Sequence, residues 1–289
     1  MMTADGTTAD GTGDGTTGDG TSADVANDLE PGADLGAADL SEVPDSQTPA
    51  IWKPTTGTSW QWQLTGTLDG SIDVAVYDID LFDHDAATIA ALQTAGRRVI
   101  CYFSAGSYED WRPDKDAFPS SVVGKPLVGW DGEWWLDVRA EEVRAAMKKR
   151  LDLAREKGCN AVEPDNVDVH QNDNGFGLTR DDLLSYNRFL VAEAHARGLS
   201  IGLKNALDLA AELEPEYDWA LNEECLAYDE CTLLKPFITA NKAVFHVEYV
   251  DAPADAPAKK SAVCGDPTIV GFSTLIKTWE LDAFRLSCD

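Results

Sequence analysis

The chain has 289 residues and a formal net charge of −28, and no apolar run in it approaches the roughly 20 residues needed to cross a bilayer. Lys and Arg number 23 against 51 Asp and Glu, so we do not expect nucleic-acid binding, which needs clustered basic residues. The hydrophobic content of 44% is ample for a packed core, and one large domain is the default for this length.

The first 50 residues differ in composition from the rest of the chain. They contain nine Asp, two Glu and no Lys or Arg, set mainly among Gly, Thr and Ala. Such a segment cannot bury enough apolar surface to offset the entropy of ordering it. Residues 1–50 are therefore predicted to be a disordered acidic linker, and residues 51–289 the folded domain. The Asp-Gly repeats of the linker lack the register of an EF-hand, so no calcium site is predicted there.

From Trp60 onward, strand-like apolar runs alternate with helix-like segments. The strand candidates are residues 60–64, 72–80, 97–106, 133–138, 160–165, 199–206, 218–224, 243–249 and 268–275. Units of about thirty residues fit a closed (β/α)8 barrel of the TIM type, an α/β fold. The Gly-rich dinucleotide fingerprint is absent, which disfavours an open doubly wound sheet. Nine candidates are one too many, so either 60–64 or 133–138 is an extra or edge strand.

Two helices are clearly indicated between these strands. Residues 140–157 carry apolar side chains at steps of four, four and three, which places them on one helical stripe. Thr179 and Asp182 have the spacing of a capping box, which predicts a helix from there to about Ala196, ended by Gly198.

Polar residues are concentrated where the predicted strands end. In a (β/α)8 barrel these carboxyl ends converge on one face, where active sites are found, so seven polar strand ends predict a site there. The residues concerned are Asp78, Asp80, Tyr102, Ser104, Asp137, Arg139, Glu163, Asp165, Asp168, Lys204, Asn205, Asn222, Glu223, Glu224, Glu248 and Tyr249.

The residue types at these ends favour carbohydrate chemistry. The chain has only four His, with no H-x-H or H-E-x-x-H motif, so neither a metal nor another cofactor is expected. Ser104 lacks the G-x-S-x-G context of a nucleophilic serine. A surplus of carboxylates remains, together with many Trp and Tyr. Glycoside cleavage uses two carboxyl groups, and sugars stack on aromatic rings.

The six cysteines contain no C-x-x-C pair, so a zinc ribbon is not expected. We expect disulfides between Cys225 and Cys231 and between Cys264 and Cys288, with Cys101 and Cys159 as buried thiols. Two disulfides favour an oxidising compartment. The alternative is six reduced thiols in a cytosolic enzyme, because sequence alone does not fix the pairing.

Three blocks of sequence carry a family resemblance. They are EPDNVD (163–168), VICYFSAGSYEDWRPD (99–114) and NEEC (222–225), and YDIDLFD (77–83), WWLDVR (134–139), GLKNA (202–206) and FHVEY (245–249) follow the same pattern in the same order. From roughly Trp52 to Asp251 the chain resembles the endo-α-1,4-polygalactosaminidases, glycoside hydrolase family 114. The resemblance implies a (β/α)8 barrel and an extracellular enzyme that cuts α-1,4-linked galactosamine-containing polysaccharide.

The same resemblance implies the catalytic pair. Asp165 in EPDNVD matches one catalytic carboxylate and Glu223 in NEEC matches the other. We expect Asp165 to be the nucleophile and Glu223 the general acid/base of a retaining, endo-acting enzyme. Glu224 is ambiguous, because it adjoins Glu223 but should point to the opposite face of the strand. Glu163 is expected either to orient Asp165 or to pair with Lys204.

A larger set of residues is expected to bind substrate. It consists of Asp78, Asp80, Tyr102, Ser104, Asp137, Asp168, Lys204, Asn205, Glu224, Glu248 and Tyr249. The acidic balance suits a cationic galactosamine polymer, whose free amino groups carry ammonium charges.

The setting of the enzyme is expected to be extracellular or at the cell surface. A polar tether before a Trp-rich domain suggests export, although the start of this chain lacks a signal peptide, so we expect the export signal to lie outside this sequence. We expect a monomer. Two alternatives remain open: a hydrolase of another α-linked glycan using the same carboxylates, and a non-catalytic carbohydrate-binding barrel.

Overall fold

The computed structural model describes residues 50–288. The predicted linker, residues 1–50, therefore lies outside the described residues except for its last position. Within residues 50–288 the chain forms twelve strands and six α-helices. The strands are β1 (Trp60–Gln63), β2 (Val76–Asp80), β3 (Arg98–Ser104), β4 (Ser107–Glu109), β5 (Val123–Pro126), β6 (Glu133–Leu136), β7 (Ala161–Asp165), β8 (Ser200–Lys204), β9 (Trp219–Glu223), β10 (Val244–Val250), β11 (Ser273–Thr278) and β12 (Leu286–Ser287). The helices are α1 (Ala86–Thr94), α2 (Glu141–Lys157), α3 (Arg180–Ala196), α4 (Leu207–Leu213), α5 (Lys235–Thr239) and α6 (Ala256–Val263).

Eight of these strands form the predicted barrel. In the order β1, β2, β3, β7, β8, β9, β10 and β11, each strand pairs in parallel with the next. The first and last strands meet where the Trp60 indole donates to the Ser273 carbonyl at 2.8 Å. The backbone amide of Leu64 also donates to the carbonyl of Leu281 at 2.9 Å. The (β/α)8 expectation is confirmed.

The ninth strand candidate belongs to a separate small sheet. β6, within residues 133–138, pairs antiparallel with both β4 and β5. These three strands lie in the long connection between β3 and β7, at the carboxyl end of the barrel. Residues 133–138 are therefore the extra strand, whereas 60–64 contain the first barrel strand. The last strand, β12, adds to β11 in the antiparallel sense.

The two predicted helices form as expected. The apolar stripe of α2 is buried throughout, at Val143, Met147, Leu151 and Ala154. At the start of α3 the Thr179 side chain accepts from the Asp182 amide, and the Asp182 carboxylate accepts from the Thr179 amide, which completes the capping box.

Alternate residues of each barrel strand face opposite sides. Trp62, Trp219 and Phe245 pack together inside the barrel, whereas Val99 and Cys101 on β3 face the helical layer. Because the side-chain period of a strand is two, this alternation decides which polar residues reach the barrel mouth.

Three disulfides join the six cysteines. Cys225–Cys231 and Cys264–Cys288 are present as expected. The expectation that Cys101 and Cys159 are free thiols was wrong, because they form a third bridge. Cys101 lies on β3 and Cys159 just precedes β7, and these strands are neighbours only because the small sheet is excluded from the barrel. None of the described helices has the length and apolar character needed to span a membrane.

Candidate active site

A buried lysine at the end of β8 is the centre of the site. The Lys204 ammonium lies 2.7 Å from Glu163 Oε1, 3.4 Å from Asp165 Oδ2 and 3.3 Å from Glu223 Oε2. It also sits over the Trp62 ring, 4.5 Å from the centroid. Three neighbouring barrel strands, β7, β8 and β9, thus bring three carboxylates to one cation. One of the two roles expected for Glu163, pairing with Lys204, is present.

Asp165 is held at the last position of β7 by side-chain and backbone contacts. Its Oδ2 accepts from the Tyr102 hydroxyl at 3.2 Å, and its Oδ1 accepts from the Asn166 amide at 2.7 Å. Its carbonyl accepts from the amides of Ala105 and Gly106. These contacts join the ends of β3 and β7, so the carboxylate has little freedom to turn away.

Glu223 is held at the last position of β9 in a similar way. The Tyr249 hydroxyl donates to its Oε1 at 2.5 Å, and the Asn205 side-chain amide donates to its Oε2 at 3.0 Å. The side-chain oxygen of Asn205, Oδ1, in turn accepts a hydrogen bond from the backbone amide of Glu223 at 3.0 Å. Asn205 has a φ of 48°, a left-handed conformation that Asn tolerates better than most residues.

The shared lysine limits the distance between the two carboxylates. The two ion-pair distances add to 6.7 Å, so Asp165 Oδ2 and Glu223 Oε2 cannot be farther apart than that. This upper limit includes the separation of about 5–5.5 Å between the carboxyl groups of retaining glycosidases and excludes most of the roughly 6.5–9.5 Å range of inverting ones.

The electrostatics of this cluster favour the charged forms of Lys204 and Glu223. Burial alone would lower the pKa of Lys204, but Asp165, Glu163 and Glu223 together raise it well above its usual value. Burial alone would raise the pKa of Glu223, but the charge of Lys204 and the hydrogen bonds from Tyr249 and Asn205 lower it. Glu223 is therefore a carboxylate near neutral pH.

A second pair of carboxyl groups lies beneath the first. Asp78 on β2 is fully buried, and neither of its carboxyl oxygens accepts a hydrogen bond from an N–H or O–H group within residues 50–288. Burial, followed by the charge and hydrogen bond of Glu163, raises the pKa of Asp78 well above its usual value. Burial likewise raises the pKa of Glu163 to about 7. A protonated Asp78 that donates to Glu163 accounts for these observations, which makes Asp78 a support of the site without access to the cleft.

The pair opens into a cleft of about 860 Å³ at the carboxyl end of the barrel. A second depression of about 420 Å³ adjoins it, and both are lined by Glu223 and Asn205. Of the residues expected to bind substrate, seven line one or both of these spaces: Asp80, Tyr102, Asp168, Lys204, Asn205, Glu224 and Tyr249. Glu224 follows β9 with a φ of 58° and lines only the smaller depression.

Three other expected binding residues do not line either space. Ser104 is buried and hydrogen-bonds to Ser107 at 2.6 Å. Asp137 pairs with Arg139 at 2.9 Å, away from the cleft. Glu248 faces the helical layer, where it pairs with Lys259 at 2.8 Å. The alternation of β10 explains this position, because Tyr249 points into the barrel and its neighbour must point out.

Sequence reasoning missed several residues that line the cleft. Of the seven large hydrophobic residues exposed within residues 50–288, six line these spaces: Trp111, Val128, Trp130, Tyr228, Leu233 and Trp279. The Trp279 ring stacks on Tyr249, with centroids 4.0 Å apart. The sequence shows that Trp111 and Trp130 are present, but no pattern in it distinguishes an exposed Trp from a core one. Glu133 was missed because it lies in the strand outside the barrel.

One cluster of metal-type ligands lies near the site in the described part of the chain. Cys225, Cys231 and His246 have donor atoms within 4.8 Å of one another. The two sulfurs form a disulfide, so they offer no thiolate to a metal.

The sequence model of Glycoside-hydrolase family GH114 matches residues 41–289. The chain belongs to this family. It is a glycoside hydrolase with a (β/α)8 barrel, as its sequence predicted. The family match begins at residue 41 and so includes the last ten positions of the expected linker.

Two solved structures illustrate the likeness of this family member. The structure of Aspergillus fumigatus Ega3 in complex with galactosamine is 46% identical, covers 84% of this chain and 100% of its own, and has a TM-score of 0.79. The glycoside hydrolase domain of PelA from Pseudomonas aeruginosa is 14% identical, covers 79% of this chain and 97% of its own, and has a TM-score of 0.61, so it shares the fold. The comparison with curated proteins gave no match.

Proposed function

We propose that this protein is a retaining, endo-acting hydrolase of α-1,4-linked galactosamine polysaccharide, with Asp165 as nucleophile and Glu223 as general acid/base. The observation that carries the proposal is the pair of carboxylates held within 6.7 Å of each other by Lys204. Both side chains line one open cleft, as a glycosidic bond lying between them requires.

The proposed reaction proceeds in two displacements. Asp165 attacks the anomeric carbon while the bond to the leaving oxygen breaks, and that oxygen takes a proton from Glu223. Glu223 then removes a proton from water, which attacks the anomeric carbon and releases Asp165 as a carboxylate. Tyr102 and Lys204 stabilise the charge on Asp165 before it attacks and again as it is released, whereas Asp165 is an uncharged ester between the two displacements.

The first displacement needs a proton on Glu223, although the surrounding protein groups lower the pKa of this residue. A bound sugar displaces water from around the carboxylate, and this desolvation raises its pKa. Repulsion between Asp165 and Glu223 acts in the same direction, because one proton on the pair relieves it. The proposal therefore includes a rise in the pKa of Glu223 when substrate binds.

The substrate class is supported by likeness and by the cleft. Ega3, at 46% identity, was solved with galactosamine bound. The cleft presents acidic side chains to an ammonium-bearing sugar and aromatic rings to the apolar faces of successive units. Exposed aromatics line both the large space and the adjoining depression, so a chain can extend on both sides of Glu223, as endo cleavage requires.

The catalytic roles are tested by rescue of alanine variants. On an aryl glycoside whose leaving group needs no proton, we expect Glu223→Ala to retain the first displacement, seen as a burst of released phenol followed by slow turnover, whereas Asp165→Ala shows no burst. Azide should restore Asp165→Ala and give a glycosyl azide of inverted configuration. The reverse pattern would exchange the two roles, and an inverted first product from the wild-type enzyme would overturn retention.

The substrate is tested by parallel digestion of deacetylated polygalactosamine, chitosan and neutral galactan. We expect rapid release of mixed oligomers from the first polymer alone, since its units match the proposed subsites. Cleavage confined to the other two polymers would overturn the proposed substrate. Asp165→Asn and Glu223→Gln should abolish turnover, whereas a carbohydrate-binding barrel would not need either carboxylate.

We also propose that the enzyme works outside the cytosol as a monomer. Three disulfides are typical of proteins in oxidising compartments, because the cytosol keeps most cysteine thiols reduced. Fractionation of native cells checks the location. Light scattering of the purified protein checks the assembly state.

A further inference from the structure

Four carboxylates of the cleft have a protein cation beside them. Both oxygens of Asp80 accept from Arg112, at 3.0 and 2.7 Å. Glu109 accepts from the same guanidinium at 2.8 Å. Asp165 and Glu223 share Lys204. Each of these charges is compensated before any ligand arrives.

Glu133 differs from these carboxylates. It is 8% exposed and lines the cleft, yet no Lys, Arg or His within residues 50–288 forms an ion pair with it. Its Oε2 accepts from the Ser107 hydroxyl at 2.6 Å, whereas its Oε1 has no hydrogen-bond partner in that part of the chain. Burial raises the pKa of Glu133 to about 7. A nearly buried carboxylate with one unpaired oxygen at a cleft is suited to a cationic ligand.

The position of Glu133 is tied to Asp165 by hydrogen bonds. Ser107, which donates to Glu133, lies 2.6 Å from Ser104 through their hydroxyl oxygens. The Asn166 side chain donates to the Ser104 hydroxyl at 3.0 Å, and its backbone amide donates to Asp165. Glu133 therefore lines the same cleft as Asp165 and is connected to it through Ser107, Ser104 and Asn166.

We propose that Glu133 binds the ammonium group of a galactosamine unit in the subsite beside Asp165, and that this contact selects deacetylated over N-acetylated units. The inference rests on the proposed function, because it assumes a galactosamine polymer in the cleft. An acetamido group carries no charge, and it would leave Glu133 without a counter-ion in a site poorly accessible to water. A galactosamine ammonium supplies the charge and the hydrogen-bond donors that Glu133 lacks.

A different role for Glu133 must be separated from this one. It could act only as an anchor for Ser107, and through Ser107 for Asn166 and Asp165. Glu133→Gln keeps an amide oxygen that can accept from Ser107 but removes the negative charge. If Glu133 were only an anchor, Glu133→Gln would leave substrate selection intact, and Glu133→Ala would lower kcat for every substrate.

The experiment compares two oligosaccharides of equal length and linkage, one fully deacetylated and one N-acetylated. For wild type and Glu133→Gln we would measure KM for the first and the inhibition constant of the second. We expect the KM of Glu133→Gln to rise roughly tenfold or more, as for loss of a charge-assisted hydrogen bond, with kcat little changed. The inhibition constant of the acetylated oligomer should stay the same or fall. Asp131→Asn is the matched control, since Asp131 is exposed, belongs to the same connection and does not line the cleft.

The pH dependence of KM gives a second readout. Below about pH 7 the free enzyme carries a proton on Glu133, which must leave before an ammonium binds, so KM should rise as the pH falls. The charged groups facing Glu133 are Glu109, Asp165 and Arg112, and all three remain in the variant. On the neighbouring β5, Lys125 is occupied by Asp173. Glu133→Gln should therefore lose the rise in KM between pH 7 and pH 6.

The outcomes separate this inference from the function on which it rests. If wild type fails to cleave the deacetylated oligomer, the proposed function fails. If wild type cleaves it and Glu133→Gln keeps both the preference for the deacetylated sugar and the pH dependence of KM, only the role of Glu133 is overturned.

Discussion

At the scale of single residues, Lys204 decides the charge of the site. It is 2% exposed and serves as the counter-ion of Glu163, Asp165 and Glu223. Coulomb attraction between buried charges is strong, but much of it is cancelled by the cost of removing water from the lysine and from its carboxylate partners. The net effect of the lysine on Glu223 is to lower its pKa, although burial alone would raise it.

The first prediction concerns loss of that charge. Lys204→Met should reduce kcat by more than about a hundredfold and lower the free energy of unfolding by about 3–5 kcal/mol, because it leaves buried carboxylates unpaired. The lowered pKa of Glu223 stabilises the wild type at pH values above the ordinary carboxyl range, and this contribution disappears on acidification. The stability gap between wild type and variant should therefore narrow toward pH 4, as followed by urea denaturation.

The control for this prediction is Lys148→Met. Lys148 is 47% exposed and pairs with Glu193 at 3.2 Å on the outer surface. An exposed pair contributes no more than about 1 kcal/mol, so this variant should keep both stability and activity. Equal losses in the two variants would contradict the role given to Lys204.

At the scale of elements, the ends of three successive barrel strands share an unusual backbone. Asn166, Asn205 and Glu224 follow β7, β8 and β9 directly, and their φ values are 59°, 48° and 58°. Residues other than Gly in this region carry strain that the surrounding contacts must compensate. These turns reverse the chain immediately after the strand, which keeps Asp165, Lys204 and Glu223 at the mouth.

The second prediction concerns the junction between β3 and β7. A Cβ atom on Gly106 would lie 1.7 Å from the Asn166 carbonyl oxygen, a distance that only backbone movement could relieve. Gly106→Ala should therefore displace Asn166 and Asp165, lower the melting temperature and reduce kcat at least tenfold. Gly265→Ala is the matched control, because nothing lies within 4 Å of its added Cβ. A fully active Gly106→Ala enzyme would show that Asp165 is not held by this junction.

The third prediction ranks the three disulfides. The bridges Cys101–Cys159, Cys264–Cys288 and Cys225–Cys231 close loops of 58, 24 and 6 residues. Chain-entropy estimates give about 4, 3.5 and 2 kcal/mol of stabilisation, because a longer loop restricts the unfolded chain more. Paired Cys→Ala variants should lose stability in that order when melted under oxidising conditions. A largest loss at the shortest loop would mean that native contacts, rather than loop closure, dominate.

At the scale of the whole molecule, the charge of the chain favours a cationic substrate. Residues 51–289 alone carry −17 of the total of −28, so the acidic field does not depend on the linker. Summed charge of one sign attracts an oppositely charged polymer and speeds its association. The carboxylates of the cleft lie within this field.

The fourth prediction follows from screening of that field. For deacetylated polygalactosamine, kcat/KM should fall several-fold between about 0.05 M and about 0.5 M NaCl, as the screening length shortens. Binding of the neutral N-acetylated oligomer should change little over the same range. A salt-independent kcat/KM for the cationic polymer would exclude electrostatic attraction from its recognition.

The sequence alone carried the local information. The strand and helix patterns predicted the barrel, the Thr179–Asp182 spacing predicted a capping box, and polar strand ends predicted the mouth. The GH114 match confirms the family resemblance, and the assignment of Asp165 and Glu223 as the catalytic pair, which that resemblance implied, stays a proposal. These features are readable because helix caps and strand periodicity involve residues close together in the chain.

Only the tertiary structure decided which side chains contact each other. Glu248 and Tyr249 are adjacent in sequence, yet one pairs with Lys259 in the helical layer and the other donates to Glu223. Cys101 meets Cys159, and Glu133 enters the cleft, only because the small sheet stands outside the barrel. Such contacts depend on register and on pairing between distant segments, which composition and local periodicity do not encode.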